Sequence, residues 1–243
     1  ARTAPRGDYP RGFTEQAYWT VVGVAHGGPR AALLSEDGAV ELGPERPSLM
    51  PVLRVGGKRL TWAQATVTQG MDAERLPLPT VEWQGEGVQM RVAPLAFGEG
   101  KAPYALVRYE VRSDRAQTVR LELHVQPMQV NPPTQFLTRP GGYAPIRRLS
   151  RDGDTVSVDD QPLWLLTPPK DFTAAGFLSG PQGASASDTD GLASGVIGYD
   201  LNLTRGVAQS VIVAFPLGGQ TARPVITGDA AKWAEAQAES VRA

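Results

Sequence analysis

Residues 104–133, YALVRYEVRSDRAQTVRLELHVQPMQVNPP, decide the fold. Apolar and polar residues alternate over residues 104–111 and again over 119–126, with a polar turn between the two runs. Because side chains of a strand point alternately to its two faces, each run predicts a strand with one buried face and one wetter face. We expect these strands to form a hairpin, followed by an irregular proline-marked segment at residues 127–133.

Short turn signals recur outward from this stretch along most of the chain. Short turns that contain glycine separate brief apolar runs, and such a pattern predicts β-hairpins. The four clearest turns are Asp37-Gly38, Gly56-Gly57, residues 84–87 and Asp152-Gly153. A further hairpin is expected from residues 197–203 and 207–215, which alternate on either side of Thr204-Arg205-Gly206.

The number of expected strands, a dozen or more, indicates the architecture. Strands must bury their apolar faces against another sheet or close on themselves. A chain of 243 residues fits one large all-β domain. We therefore predict an all-β fold made of two large antiparallel sheets packed as a sandwich, with a closed barrel as the alternative.

One helix is expected, at the C-terminal end. Residues 229–243, DAAKWAEAQAESVRA, are rich in alanine, and Asp229 is a suitable N-cap. The apolar face of this helix is narrow, which is typical of a connector to another element. The expected organisation is a sandwich domain over residues 1–227, with a loosely held lead-in at 1–12, and a linker helix over 228–243.

Composition excludes several classes of function. The net charge of −1 argues against a nucleic-acid surface or a polybasic membrane patch. The absence of cysteine rules out disulfides, thiolate metal sites and a cysteine nucleophile. The two histidines of the chain, His26 and His124, are far apart in sequence. No apolar run approaches the ~18 residues of a membrane span. We expect no metal, no cofactor and no nucleic-acid or membrane partner.

Several segments together resemble a known family of enzymes. RAALLSEDGAVEL, residues 30–42, is similar to a hairpin near the start of the N-terminal domain of glucoamylase-like and related six-hairpin glycoside hydrolases. LPLPTVEW and HVQPMQVNPPTQFL, residues 76–83 and 124–137, resemble a bacterial group of these proteins. LNLTRGVAQSVIVAFPL, residues 201–217, is similar to their closing hairpin, and the helix from Asp229 resembles their linker into a helical barrel.

The resemblance implies a β super-sandwich whose catalytic carboxylates belong to a following helical barrel. We therefore expect this chain to be the N-terminal, non-catalytic domain of a carbohydrate-active enzyme. We expect it to pack against that barrel and to help shape its active site. Its expected partners are the C-terminal helical-barrel domain and, through the full-length protein, a carbohydrate. The chain begins ARTAPRGDYP, which we interpret as a trimmed N-terminus, and we expect a secreted or periplasmic protein.

Two other functions stay open at this point. One is a free-standing carbohydrate-binding module, which needs exposed aromatic side chains arranged as a platform. The other is a purely structural or assembly sandwich. The gene downstream of Ala243 discriminates between them and the hydrolase domain: several hundred further residues with helical periodicity favour the hydrolase, whereas a stop codon favours the binding module.

Amides that follow the second strand of the opening stretch are the best candidates for ligand binding. They are Gln126, Gln129, Asn131 and Gln135, with the neighbouring aromatic ring of Phe136. Amides donate and accept hydrogen bonds as sugar hydroxyls do, and an aromatic face packs on a sugar ring. The simpler interpretation is that these amides satisfy backbone groups of a rigid loop at a domain junction. Trp233 is expected to dock the helix, either onto the sandwich or onto another domain.

No catalytic residue is assigned from the sequence. Glycoside hydrolysis needs two carboxylates about 5–9.5 Å apart, but the acidic residues of this chain lie mostly in turns or on the wet faces of strands. Asp188-Thr189-Asp190-Gly191 begins like a calcium loop but lacks its third oxygen position and its closing Glu. We therefore expect no activity from this chain alone.

Overall fold

Within the residues that the structure describes, two antiparallel sheets of nine strands each make up the body of the protein. The computed structural model describes residues 4–72, 78–98, 102–131, 142–226 and 228–242. In these residues the strands are β1 (Trp19–Gly23), β2 (Ala31–Ser35), β3 (Val40–Glu41), β4 (Ser48–Val55), β5 (Lys58–Leu60), β6 (Thr66–Asp72), β7 (Leu78–Gly85), β8 (Val88–Phe97), β9 (Tyr104–Ser113), β10 (Gln117–Gln126), β11 (Arg148–Asp152), β12 (Thr155–Val158), β13 (Gln161–Leu165), β14 (Asp171–Gly176), β15 (Gly180–Gly183), β16 (Ser185–Ser187), β17 (Ser194–Leu203) and β18 (Gln209–Pro216). A 3-10 helix covers Arg11–Phe13, and the α-helix α1 covers Ala230–Arg242.

The strand order defines the two layers. Sheet A runs β1-β2-β3-β4-β10-β17-β14-β15, with β5 paired to β4. Sheet B runs β16-β11-β12-β13-β18-β9-β8-β7-β6. The prediction of an all-β protein with two antiparallel sheets and one C-terminal helix is confirmed.

The inner faces of the two central strands form the middle of the core. On β9 the residues Ala105, Val107, Tyr109 and Val111 are fully buried, and on β10 so are Val119, Leu121, Leu123 and Val125. These are the apolar sets that the alternation predicts. Packing two such faces against each other removes them from water. This burial stabilises the fold by about 25 cal/mol for each Å² of apolar surface.

The pairing of these two strands differs from the prediction. β9 and β10 do not form a hairpin, because β9 pairs with β8 and β18 in sheet B while β10 pairs with β4 and β17 in sheet A. The short connection after β9 crosses from one sheet to the other. Before the crossing, Asp114 N–H donates to the Gly87 carbonyl at 3.0 Å, so the chain keeps its partner in sheet B up to that point.

The pair β17 and β18 crosses between the sheets in the same way. The predicted hairpin of residues 197–203 and 207–215 is therefore also wrong, since β17 pairs with β10 and β18 pairs with β9. Two crossing connections thus lie side by side, and the Gly206 N–H donates to the Ser113 carbonyl between them at 2.9 Å. The four shorter turns do close hairpins, namely β2–β3, β4–β5, β7–β8 and β11–β12.

The described part of the N-terminal lead-in contacts the sandwich at Asp8, Tyr9 and Arg11. The Trp62 indole N–H donates to the Tyr9 carbonyl at 3.0 Å, and the Arg11 backbone N–H donates to Asp37 Oδ2 at 2.9 Å. Asp8 forms an ion pair with Arg59.

Helix α1 lies against the outer face of sheet B. Asp229 Oδ1 accepts the backbone N–H of Lys232 at 3.0 Å, which is the N-cap that the sequence predicts. Ala234 is buried in a small apolar cluster with Leu95, Leu106 and Ile212. The helix is thus docked on the sandwich by a separate cluster outside the main core.

Candidate functional site

The amide segment, which we define as residues 127–131, leaves sheet A directly after β10. Gln129 is 3 % exposed, and its backbone N–H donates to the Gly142 carbonyl at 3.0 Å. Asn131 is half-buried, and Gln126 Nε2 donates to the Asp8 carbonyl at 3.2 Å. Gln135 and Phe136 lie outside the described residues. Of the predicted amides, Asn131 is therefore the more accessible in the segment itself.

A buried carboxylate fixes the backbone of the amide segment. Glu41 Oε2 accepts the N–H groups of Val130 at 3.0 Å and of Asn131 at 3.3 Å, while Oε1 accepts the Glu45 N–H at 3.1 Å. Glu41 is 2 % exposed. Burial raises the pKa of Glu41 to about 7, although the backbone donors act in the opposite direction.

Glu41 is not among the site residues predicted from the sequence. Its side chain belongs to β3, in the apolar context Ala39-Val40-Glu41-Leu42, where a carboxylate is out of place unless it has partners. That mismatch is the signal in the sequence. It could have indicated a buried acceptor, but it could not have named donors 89 and 90 positions further along the chain.

Glu41 belongs to a row of polar side chains that crosses three strands. Glu41 pairs with Ser48 across β3 and β4, and Ser48 pairs with Gln126 across β4 and β10. Within the described residues, Ser48 Oγ and Gln126 Oε1 are buried without a hydrogen-bond partner. Because buried polar groups are nearly always paired, this row has spare hydrogen-bonding capacity beside the amide segment.

Trp233 docks the helix onto the sandwich. The rings of Trp233 and Phe97 form a T-shaped pair with their centroids 5.0 Å apart. Phe97 in turn stacks on Tyr104, with a centroid distance of 5.6 Å. Tyr104 in turn lies 5.9 Å from Trp164. The structure thus places Trp233 in an aromatic cluster on sheet B.

The amide segment and the first turns of α1 lie toward the same end of the sandwich. β9 begins and β10 ends at that end, because a short connection joins the strands at the other end. Phe97 pairs with Tyr104 at the start of β9, and Trp233 contacts Phe97. The two elements that the sequence associates with a neighbouring domain therefore lie at one end of the sandwich, although on different sheets.

A charged network covers the outer face of sheet A. Arg120 pairs with Asp171 at 2.7 Å, with Glu122 at 3.1 Å and with Asp200 at 3.3 Å. Burial would raise the pKa of Glu122, but hydrogen bonds from His124, Arg54 and Arg120 outweigh it and lower that pKa to about 2. These carboxylates accept hydrogen bonds from arginines, and this suits a structural role.

The calcium-like motif is a capped turn. Asp188 Oδ1 accepts the N–H groups of Asp190 at 3.0 Å and Leu192 at 3.2 Å, and Oδ2 accepts that of Phe177 at 2.8 Å. These backbone donors lower the pKa of Asp188. Across the described ranges there is no cluster of three or more His, Cys, Asp or Glu side chains able to hold a metal, and no helix long and apolar enough to cross a membrane.

No protein-family model matches the sequence, and no curated protein matches it. Among solved structures, the chain is similar to a bacterial glucoamylase complexed with acarbose, with 11% identity and a TM-score of 0.48, over 91% of this chain and 32% of that one. It is also similar to a putative kojibiose phosphorylase from the human microbiome, with 11% identity and a TM-score of 0.39, over 94% and 27% of the respective chains.

The chain spans about a third or less of the length of these two proteins. Neither match assigns an activity to this chain.

Proposed function

We propose that this chain is the N-terminal, non-catalytic sandwich domain of a carbohydrate-active enzyme. In this proposal it packs against a helical-barrel catalytic domain that is not part of these 243 residues and helps to shape its active site. The sequence resemblance to six-hairpin glycoside hydrolases supports the proposal, as does the two-sheet fold. The substrate is a carbohydrate, bound by the full-length enzyme.

One observation carries the proposal: Glu41 holds the amide segment in place at the end of the sandwich where α1 begins. Fixing a loop before binding lowers the entropy cost of ordering it, and loops on a rigid scaffold commonly carry binding groups. In this proposal Asn131, which is half-buried and tied through its backbone, presents its amide to the catalytic domain or to a sugar beside it. Gln129 is buried and shapes the segment from within.

The experiment replaces Asn131 by Ala in the full-length product of the gene. We expect kcat/KM on the enzyme's glycoside substrate to fall severalfold, while the unfolding midpoint of the sandwich changes little. The matched control is Gln84→Ala with Gln89→Ala, which removes an exposed amide pair on the outer face of sheet B. This control should leave both quantities unchanged.

Two results would overturn the proposal. Unchanged kcat/KM and unchanged domain docking in the Asn131→Ala enzyme would remove the role of the amide segment. A stop codon directly after Ala243 would remove the catalytic domain and leave a free-standing module.

A further inference from the structure

A groove runs along the open side of the sandwich, between the edge of sheet A and the edge of sheet B. Its volume is about 360 Å³, within the range of small-molecule sites. The start of β1, the end of β2 and Glu36 in the β2–β3 turn form one wall, and β6 with β7 forms the other. β1 and β6 are both edge strands, so this is where the two sheets separate and expose their margins.

An exposed aromatic ring stands at this groove. Tyr18 directly precedes β1 and is 62% exposed, and its hydroxyl accepts a hydrogen bond from Gln16 Nε2 at 2.6 Å. Met71 on the opposite wall is 60% exposed. Tyr18 and Met71 are thus large apolar side chains exposed to solvent on the two facing walls of the groove. Together they form a surface that a ligand would cover.

Polar groups lie between these two walls. Gln69 Nε2 donates to the Glu36 carbonyl at 2.7 Å and so connects β6 to the β2–β3 turn across the gap between the sheets. The Glu36 carboxylate pairs with Arg11 at 3.3 Å, and this pairing holds the carboxylate beside the groove. Gly70 leaves the space next to the Thr80 hydroxyl open, since an added Cβ would lie 3.1 Å from Thr80 Oγ1.

This combination has the chemistry that recognises sugars. An aromatic face packs on the apolar C–H face of a pyranose ring, and carboxylate, amide and hydroxyl groups take up the ring hydroxyls. No lysine or arginine lines the groove within the described part of the chain, and the nearby Arg11 is already engaged by Glu36 and Glu15, so the groove is poorly suited to an anionic ligand such as a nucleic acid. We propose that the groove between β1 and β6 binds a short neutral oligosaccharide, with Tyr18 as the stacking residue.

This site goes beyond the proposed domain role, because it gives the sandwich a ligand of its own away from the amide segment. Its test needs only the 243-residue chain and no catalytic domain. A failure here would leave the interdomain role untouched, and a failure of the interdomain role would leave this site untouched.

The experiment is calorimetric titration of the chain with maltohexaose, cellohexaose and xylohexaose at up to millimolar concentration. We expect at least one of them to bind, and Tyr18→Ala to weaken its Kd by about tenfold, which corresponds to ~1.4 kcal/mol. Tyr18→Phe should retain most of the affinity, because the ring is kept. Gln69→Ala should weaken binding severalfold.

The matched control is Phe177→Ala, which removes an aromatic ring that is 67% exposed at the β14–β15 turn. This variant should bind as the wild type does. The proposal fails if none of the three oligosaccharides binds. It also fails if binding survives Tyr18→Ala unchanged, since the sugar would then sit elsewhere on the molecule.

Discussion

Glu41 Oε2 accepts the backbone N–H of Val130 at 3.0 Å and so joins two residues that are 89 positions apart in the chain. The carboxylate belongs to β3, while the N–H belongs to the segment that leaves β10, two strands away in sheet A. A charged acceptor in a buried site makes a strong hydrogen bond, but it also costs free energy to ionise there. The conformation of the amide segment is therefore linked to the protonation of one side chain.

The first prediction concerns the pH dependence of stability. The ordinary pKa of a Glu side chain is 4.5, and burial raises that of Glu41 to about 7 in the folded chain. Between these values the unfolded chain has lost the proton while the folded chain keeps it. Glu41 therefore contributes stability below pH 4.5 that is lost as the pH rises through about 7, by an amount on the order of 3 kcal/mol.

Denaturant unfolding of wild type and Glu41→Gln at several pH values measures this loss. The variant lacks the titrating group, so the unfolding free energy of the wild type minus that of the variant should fall as the pH rises from 5 toward 8. The buried carboxylate of Asp37 also has a raised pKa, but it is present in both proteins and cancels in the comparison. Asp152→Asn, in an exposed turn, serves as the control. A pH-independent difference for Glu41→Gln would contradict the prediction.

The second prediction concerns a glycine that lets the two sheets approach. Gly195 lies on β17 in sheet A, and a Cβ added there would overlap the Leu149 side chain of β11 in sheet B. Leu149 is fully buried. We expect Gly195→Ala to lower the free energy of unfolding by roughly 1–3 kcal/mol, the usual cost of overpacking a core.

The matched variant for this measurement is Gly219→Ala, where an added Cβ meets nothing within 4 Å. Chemical denaturation of both variants compares the same substitution in crowded and in open space. Equal stabilities would show that Leu149 moves aside without cost, and the argument from crowding would then be wrong.

The burial pattern of the sandwich could be predicted from the sequence, but its pairing could not. Alternation in β9 and β10 correctly indicates which side chains are buried, because the period of a strand is a local property. It does not indicate which strand lies beside it. The four hairpins at Asp37-Gly38, Gly56-Gly57, residues 84–87 and Asp152-Gly153 were predicted correctly, whereas the connections after β9 and β17 cross to the opposite sheet.

The candidate site shows the same division. The sequence points to the amide segment, because its prolines and amides interrupt a strand pattern. It does not reveal Glu41, whose role depends on donors brought to it by the sheet order. The groove at Tyr18 was also missed, since its two walls come from β1 and β6, which only the layering of the sheets brings together.

The third prediction concerns two tyrosine hydroxyls in the core. Tyr109 is fully buried and Tyr199 nearly so, and neither hydroxyl has a hydrogen-bond partner among the described residues. Burial raises the pKa of both side chains. An unpaired buried hydroxyl costs free energy, so we expect Tyr109→Phe to be neutral or to stabilise the chain by about 1 kcal/mol.

Tyr109→Ala provides the contrast, because it also removes the ring and should cost about 3–5 kcal/mol. Thermal or denaturant unfolding distinguishes the two effects. A Tyr109→Phe variant that is less stable than wild type by more than about 1 kcal/mol would mean that the hydroxyl has a partner, such as an ordered water between the two tyrosines.

The last prediction concerns the attachment of α1. Trp233 meets Phe97 edge-on at 5.0 Å, and Glu235 pairs with Arg108 at 2.9 Å, so a few contacts on the outer face of sheet B hold the helix. Because the main core lies on the opposite face of that sheet, Trp233→Ala should release the helix while the sandwich stays folded. Hydrogen exchange over residues 230–242 should rise in this variant, with little change for β9 and β10.

Lys232→Ala is the neighbouring control for this prediction, since the Lys232 side chain is exposed and the backbone N–H of residue 232 still donates to Asp229 Oδ1. If both variants exchange like the wild type, then Trp233 does not hold the helix on the sandwich, and the aromatic cluster has no role in setting the direction in which α1 leaves.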